Sequence, residues 1–327
     1  MHLTNSTKRH AILRPASLFA LLGVAAAVTL LVVHADGVAV ALRELGAGVL
    51  WMGPVYLLHL AIGAVAWGWV IPHRTRLWIR FMGVWVAGSL NTVIPSATIG
   101  GEVAKARVLV RTGTPGDAAV SSVVVDTTTQ AMSMAVWGVI GALTLIAVGV
   151  DERTAKGAGL VAVLFVLGTG IFGWMQARGA AGLTARAIRR LSKNPKLIAL
   201  AGRTEDIDAS LRALYRHPGR IGAATIVRLL ARISLTLEVW LAAMLMGAPI
   251  TLFEALLVKS VTGAARGMAF VVPNGYGVQE FAFLAAGAAI GLEPGFAVAL
   301  AMATRVRELI FSLPALWWWW RLEKTQR

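Results

Sequence analysis

The chain has 327 residues, is 57% hydrophobic and 14% charged, and has a mean hydropathy of +0.71, which excludes an ordinary soluble globular domain and places it in a bilayer. It contains no cysteine, which excludes disulfides, thiolate metal sites and cysteine nucleophiles. Its net charge of +15 does not point to nucleic acid, because the basic residues sit mostly in loops between apolar runs, where they set topology and meet anionic headgroups.

The first apolar run, 16–33, follows Lys8, Arg9 and Arg14. It is long for a signal-peptide core, so an uncleaved first helix is favoured over a cleaved leader. Runs 45–73, 127–150 and 157–177 are each long enough to cross the roughly 30 Å hydrocarbon core. Lys and Arg excess marks the cytoplasmic side of a bacterial inner membrane. That rule puts the N-terminus inside, a short loop around Asp36, Arg43 and Glu44 outside, and Arg74, Arg76 and Arg80 inside again. The next basic cluster, Lys105, Arg107 and Arg111, is also expected inside, although the apolar stretch 81–99 lies between the two. A re-entrant hairpin broken between Asn91 and Gly101, around Pro95 and Gly100, reconciles them, and such a break is tolerated only where protein or a water-filled cavity satisfies its backbone.

Residues 118–150 then cross outward and 157–177 return, leading into a basic loop, 178–220, with ten Lys or Arg against three acids. Within it, Glu205, Asp206 and Asp208 superficially resemble a glycosyltransferase metal pair, but a solvated amphipathic helix on the headgroup surface accounts for them better. Residues 221–246 cross outward, 250–292 form a second hairpin broken at Pro273, Asn274, Gly275 and Gly277, and 296–320 cross inward. Four tryptophans, Trp317 to Trp320, anchor the end of that span at the interface, leaving the C-terminus cytoplasmic. The predicted architecture is an all-α polytopic membrane protein forming one integral membrane domain over 1–327. It has six spans and two re-entrant hairpins, in an inverted repeat of about 46–150 and 221–320; eight full spans is the alternative.

The repeat is visible in the residues themselves. Pro95 and Glu102 are seven apart, as are Pro273 and Glu280, with glycines between each pair. A second proline follows in each half, Pro115 and Pro294, then a long apolar run with an early charge, Asp126 or Arg305. Paired hydrophobic segments broken by Gly and Pro point to the binding site of a secondary-transporter-like fold.

Intramembrane charges are functional candidates by default. Arg228 and Arg232 share one helix face; Arg305, Arg307 and Glu308 lie near the middle of the last span; Lys259 and Arg266 lie in the second hairpin. Internal pairing is the bland account, through Arg305 with Glu308 at i,i+3 and Glu238 with an arginine elsewhere. Arg307 points about 200° from Arg305 and needs another partner. The cations exceed what Asp126, Glu238, Glu254, Glu280 and Glu308 are expected to neutralise, so Arg228, Arg232, Arg266, Arg305 and Arg307 are read as a basic cavity for a phosphate or other anionic headgroup. Glu102 and Glu280, one turn past their breaks, either cap the second half-helix or serve coupling. Asp126, with the following Thr127, Thr128, Thr129 and Gln130, either lines the cavity or bonds between helices. No Walker A, zinc-binding or nucleophile-elbow motif occurs, so no metal and no cofactor are expected.

At Asn91 to Arg107, Ser121 to Asp126 and Pro273 to Glu280 the chain resembles the lysylphosphatidylglycerol synthase transmembrane family, also described as flippase-like membrane proteins. Gly100 to Arg107 and Ser122 to Asp126 look closest to the branch associated with hopanoid biosynthesis. Asn274 stands where a second glycine is common, and Asp126 where other branches often carry glutamate. The resemblance implies lipid translocation between leaflets, of a hopanoid or of an anionic or polyprenyl lipid. Without an aminoacyl-transferring domain the chain is not expected to be an enzyme. A headgroup transferase using Asp126, Glu280 or Glu308 as base, or a scaffold for lipid-biosynthesis enzymes, are the competing readings. Membrane lipid is the expected partner.

Overall fold

The computed structural model describes residues 32–71, 73–93, 99–178, 209–269 and 272–324, with isolated positions 25, 28, 29 and 207. Most of the expected first span, its preceding basic residues, Pro95, residues 179–206 of the basic loop with Glu205 and Asp206, Asp208 and Arg327 lie outside the described residues. The described chain is helical, and no strand occurs among those residues. It is an all-α polytopic membrane protein.

The elements are α1 (Ala35–Leu45), a 3-10 segment (Gly46–Trp51), α2 (Met52–Gly68), α3 (Leu77–Val93), α4 (Ile99–Arg111), α5 (Gly116–Ala147), α6 (Glu152–Ala177), α7 (Pro218–Leu245), α8 (Leu252–Met268), a 3-10 turn (Pro273–Gly275), α9 (Val278–Ala289) and α10 (Pro294–Lys324). Residues 38–68, α5 and α6 are apolar and long enough to cross a membrane. Helices α7 and α10, at 28 and 31 residues, are also long enough, although they carry the charges read above. By contrast α4 and α9, at 13 and 12 residues, rise only about 20 Å and 18 Å, short of the hydrocarbon thickness. Each instead folds back on the helix before it, α4 on α3 and α9 on α8.

Local chemistry sets these boundaries. Pro115 precedes α5 with an extended ψ of 143°, a conformation its ring favours. Asp151 caps α6 by accepting from the Thr154 amide at 3.0 Å. Thr251 and Glu254 form a reciprocal capping box at the start of α8. Glu254 is therefore a cap rather than a counter-charge for the interior. The expected loop around Asp36, Arg43 and Glu44 is helix α1 instead. Val38, Ala41 and Leu45 fall on one helical face and pack into the core with α10, leaving the charges on the other face.

Two sets of helices repeat. α3, α4 and α5 have 17, 13 and 32 residues; α8, α9 and α10 have 17, 12 and 31. Within each set the middle helix packs on both others. Between the sets, α8 packs on α5 and α10 packs on α3, while the preceding helices α2 and α7 pack on each other. Helix α7 sits centrally, in contact with α2, α5, α8 and α10.

Candidate functional site

A seam of charged side chains runs through the interior, carried by α7. At one end Asp126, fully buried on α5, accepts from Arg228 Nη2 with both carboxylate oxygens at 2.5 Å and from Arg228 Nε at 3.1 Å. Lys105 of α4 pairs with the same carboxylate, and its ammonium lies 4.6 Å from the centre of the Trp67 ring. Lys105 is only 2% exposed, so it does not belong to a solvated basic cluster with Arg107 and Arg111. Glu102 stands 3.4 Å from Lys105 on the same helix. Gln130 Nε2 donates to Asp126 at 3.2 Å, whereas Thr128 bonds across to Gln176 of α6 at 2.8 Å. Of the polar patch on α5, Asp126 and Thr128 bond to other helices, whereas the side chains of Thr127, Thr129 and Gln130 bond back within α5.

One turn along α7, Arg232 is half-buried and donates to two neutral oxygens, Ser133 Oγ at 3.0 Å and the Gln130 carbonyl at 3.1 Å. No carboxylate pairs with it among the described residues. Beside it, His59 Nδ1 meets the Ala231 carbonyl at 2.7 Å. Further along, Glu238 is fully buried and accepts from Arg307 Nε at 2.5 Å and Lys259 Nζ at 3.2 Å, while the Arg307 guanidinium stacks 4.1 Å from the Tyr56 ring centre.

The second hairpin break closes the seam. Asn274, Gly275 and Gly277 turn the chain with φ of 51°, 61° and 77°, the left-handed region in which glycine, and next asparagine, is least strained. Asn274 is the non-glycine residue with positive φ among the described residues. Glu280 caps the next helix, accepting from the Gly277 amide at 2.7 Å, and its other oxygen accepts from Arg305 Nε at 2.8 Å. Arg305 also donates to the Asn274 carbonyl at 2.9 Å and the Gly275 carbonyl at 3.3 Å, satisfying backbone groups that the turn leaves without helical partners. Its guanidinium lies over Tyr276, 4.7 Å from the ring centre, and the Tyr276 hydroxyl reaches the Thr92 carbonyl at the end of α3 at 3.5 Å. Arg266 Nη1 donates to Glu308 at 2.7 Å and to Gln279 at 3.1 Å, and Nη2 bonds the Asn274 side chain. Glu308 stands 3.6 Å from Arg305. Among the described residues, Asn274 Nδ2, Arg307 Nη1 and Glu308 Oε2 are buried without a hydrogen-bond partner.

The candidate residues therefore gather into one seam, with the cations mostly paired. Arg228 goes to Asp126, Arg266 to Glu308, Arg305 to Glu280 and Arg307 to Glu238. Asp126 is shared with Lys105 and Glu238 with Lys259, so the cations of the seam still outnumber its carboxylates, and of the five arginines Arg232 is the one with no carboxylate partner among the described residues. Asn91, Gly100 and Gly101 flank the first break rather than form it: Asn91 lies in α3 and its Oδ1 accepts from the Gly101 amide of α4 at 3.0 Å. Tyr56, Tyr276 and Gln279 were not read from the sequence, and their only signal was an aromatic or amide in register with an intramembrane cation. No His, Asp or Glu cluster suited to a metal occurs among the described residues.

Two hollows lie outside the seam. A crevice of about 200 Å³ between α5, α6 and α8 is walled by apolar residues such as Leu145, Phe165 and Met268. A larger one, about 540 Å³, sits where α10 begins, between Asp36, Val40, Glu44, Met246, Leu292 and Phe296. At the opposite end of α10, Glu323 is held by α4: Arg107 Nη2 donates to it at 2.6 Å with Nε bonded to its other oxygen, and Arg111 lies at 3.3 Å. The Arg107 hydrogen bond lowers the Glu323 carboxyl pKa below its usual value.

A family model described as the lysylphosphatidylglycerol synthase transmembrane region matches residues 17–315. No curated protein and no solved structure matches the chain. The match covers the two broken hairpins, the seam and the first two thirds of α10. The chain belongs to the lysylphosphatidylglycerol synthase transmembrane-region family.

Proposed function

We propose that this protein moves a lipid between the leaflets of the bacterial inner membrane, without changing it chemically, and that both termini face the cytoplasm. The observation that carries this reading is the meeting of the two broken hairpins. The Tyr276 hydroxyl of the second break reaches Thr92 beside the first, with Arg305 seated on the Tyr276 ring and bonded to the break's carbonyls. Irregular backbone at membrane depth, backed by charged side chains, is how transporter folds hold a polar group between repeats. The reciprocal packing of α8 on α5 and α10 on α3 supports an inverted repeat of about 46–150 and 221–320, since a two-fold relation requires contacts in such exchanged pairs.

The headgroup would engage the seam at Arg232, whose donors meet only neutral oxygens, while the tails remain in the bilayer. An anionic headgroup suits it; a hopanoid derivative and a polyprenyl lipid are the cargoes the family resemblance favours. The carboxylates that a transferase would use as bases are each held in an ion pair: Asp126 with Arg228 and Lys105, Glu280 with Arg305, and Glu308 with Arg266 through one of its oxygens. In liposomes carrying the purified protein, leaflet exchange of fluorescent phosphatidylglycerol or a labelled hopanoid should occur. Arg232→Ala should slow it roughly 10- to 100-fold, the loss of a hydrogen bond to a charged group. Unchanged exchange in a folded Arg232→Ala protein would remove the seam from the transport path.

A further inference from the structure

Helix α10 has 31 residues and rises about 46 Å, well beyond the hydrocarbon core, so its two ends lie at opposite faces of the membrane. Those ends are in different states. Where α10 begins, the 540 Å³ hollow stands between it, α1 and the end of α7. Where α10 ends, the same helix is closed onto the first hairpin. Ala315 is buried against Val86 of α3 and Ala104 of α4, with Trp85, Trp318 and Trp319 around them. Over that apolar plug the Glu323 carboxylate takes a two-pronged bond from Arg107 and a third contact from Arg111, both on α4.

We infer that the Arg107, Arg111 and Glu323 ion pair is a releasable latch that closes the cytoplasmic end of the translocation path. Three features carry it. The pair bridges the two repeats, tying the hairpin of one to the last helix of the other, so any relative rocking of the repeats must stretch or break it. Arg107 is 51% exposed and Glu323 25%, so both charges are rehydrated on release and opening carries little desolvation penalty. Its bidentate geometry gives direction to a contact that would otherwise be a weak surface pair. At the other end of α10 no comparable ion pair is found among the described residues, in keeping with the hollow there. The buried Arg228 and Asp126 pair also joins the two repeats, deep in the seam; the Arg107 and Glu323 pair joins them at the exposed end of α10.

The inference rests on the translocation reading, but its test does not measure lipid. The chain has no cysteine, so Ala104→Cys places a single thiol beneath the latch. Its reaction with a membrane-impermeant maleimide is followed in vesicles with the C-terminal face outward. The thiol should be protected in the parent protein. Adding Glu323→Gln should speed labelling about twofold to fivefold, the effect expected of breaking a partly exposed ion-pair network. Combining Arg107→Glu with Glu323→Arg, which reverses the charges, should restore protection. Ala315→Cys supplies a second probe should Ala104→Cys destabilise the fold. Labelling that ignores Glu323→Gln overturns the latch, as does an acceleration that the reversed pair fails to correct. Normal latch behaviour in a protein that exchanges no lipid would leave the latch standing and overturn the translocation reading instead.

Discussion

Asp126→Ala should lower stability by about 3–5 kcal/mol, the penalty of leaving a buried charge without its partner. The Asp126 carboxylate is fully buried and is the counter-charge of both Lys105 and Arg228, while Gln130 donates to it as well. Removing it leaves an ammonium and a guanidinium close together in the interior of a membrane helix bundle, where hydration cannot compensate them. Three helices lose their junction at once, because Lys105 lies on α4, Asp126 on α5 and Arg228 on α7. Replacing the whole triad by Lys105→Met, Asp126→Leu and Arg228→Met should recover most of the loss, because a buried ion pair is often no more stable than apolar residues of similar volume. Thermal unfolding of the detergent-solubilised protein, followed by circular dichroism, separates the two outcomes. The single variant should melt at least several degrees below the parent, and the triple variant should melt within a few degrees of it. A single variant as stable as the parent would mean that the charges reach solvent, contrary to the burial of Lys105 and Asp126.

The triad also shows where sequence reasoning stops. Lys105, Arg107 and Arg111 read as one basic cluster on the membrane surface. On a helix, Arg107 and Arg111 are four apart and share a face, and both reach Glu323; Lys105 lies about 200° from Arg107, on the face that meets Asp126. The periodicity was in the sequence, but a positive-inside argument counts charges without regard to face. The same geometry applied to Arg305 and Arg307 did separate them, and they go to Glu280 and Glu238. Proline and glycine spacing marked the second break and the starts of α5 and α10, because proline fixes φ while glycine admits the left-handed region that other residues avoid. Which carboxylate neutralises which cation depends on how α7, α8 and α10 pack, and no local pattern encodes that. The Asp36 to Glu44 segment failed differently: its charges suggested a loop, while its apolar face belonged to a helix docked on α10.

Gly101→Val should separate the two arms of the first hairpin, with a loss of about 1–3 kcal/mol or more and of leaflet exchange with it. A Cβ at Gly101 would stand 2.4 Å from the Ala87 carbonyl oxygen and 2.5 Å from both terminal atoms of Asn91. The Asn91 side chain can rotate away, at the cost of its bond to the Gly101 amide. The Ala87 oxygen is helix backbone, so relief requires α3 and α4 to move apart, and α3 also carries α10. Gly159→Ala makes the contrast: it lies within α6 with open space around its Cβ position and should stabilise by up to about 1 kcal/mol through helix propensity alone. Opposite signs from two glycine substitutions in helices would place the effect in the close approach of the hairpin arms. If Gly101→Val keeps its stability yet abolishes exchange, the hairpin's exact closure serves transport rather than folding. If it keeps both, the arms of the first hairpin can part without cost to folding or to exchange.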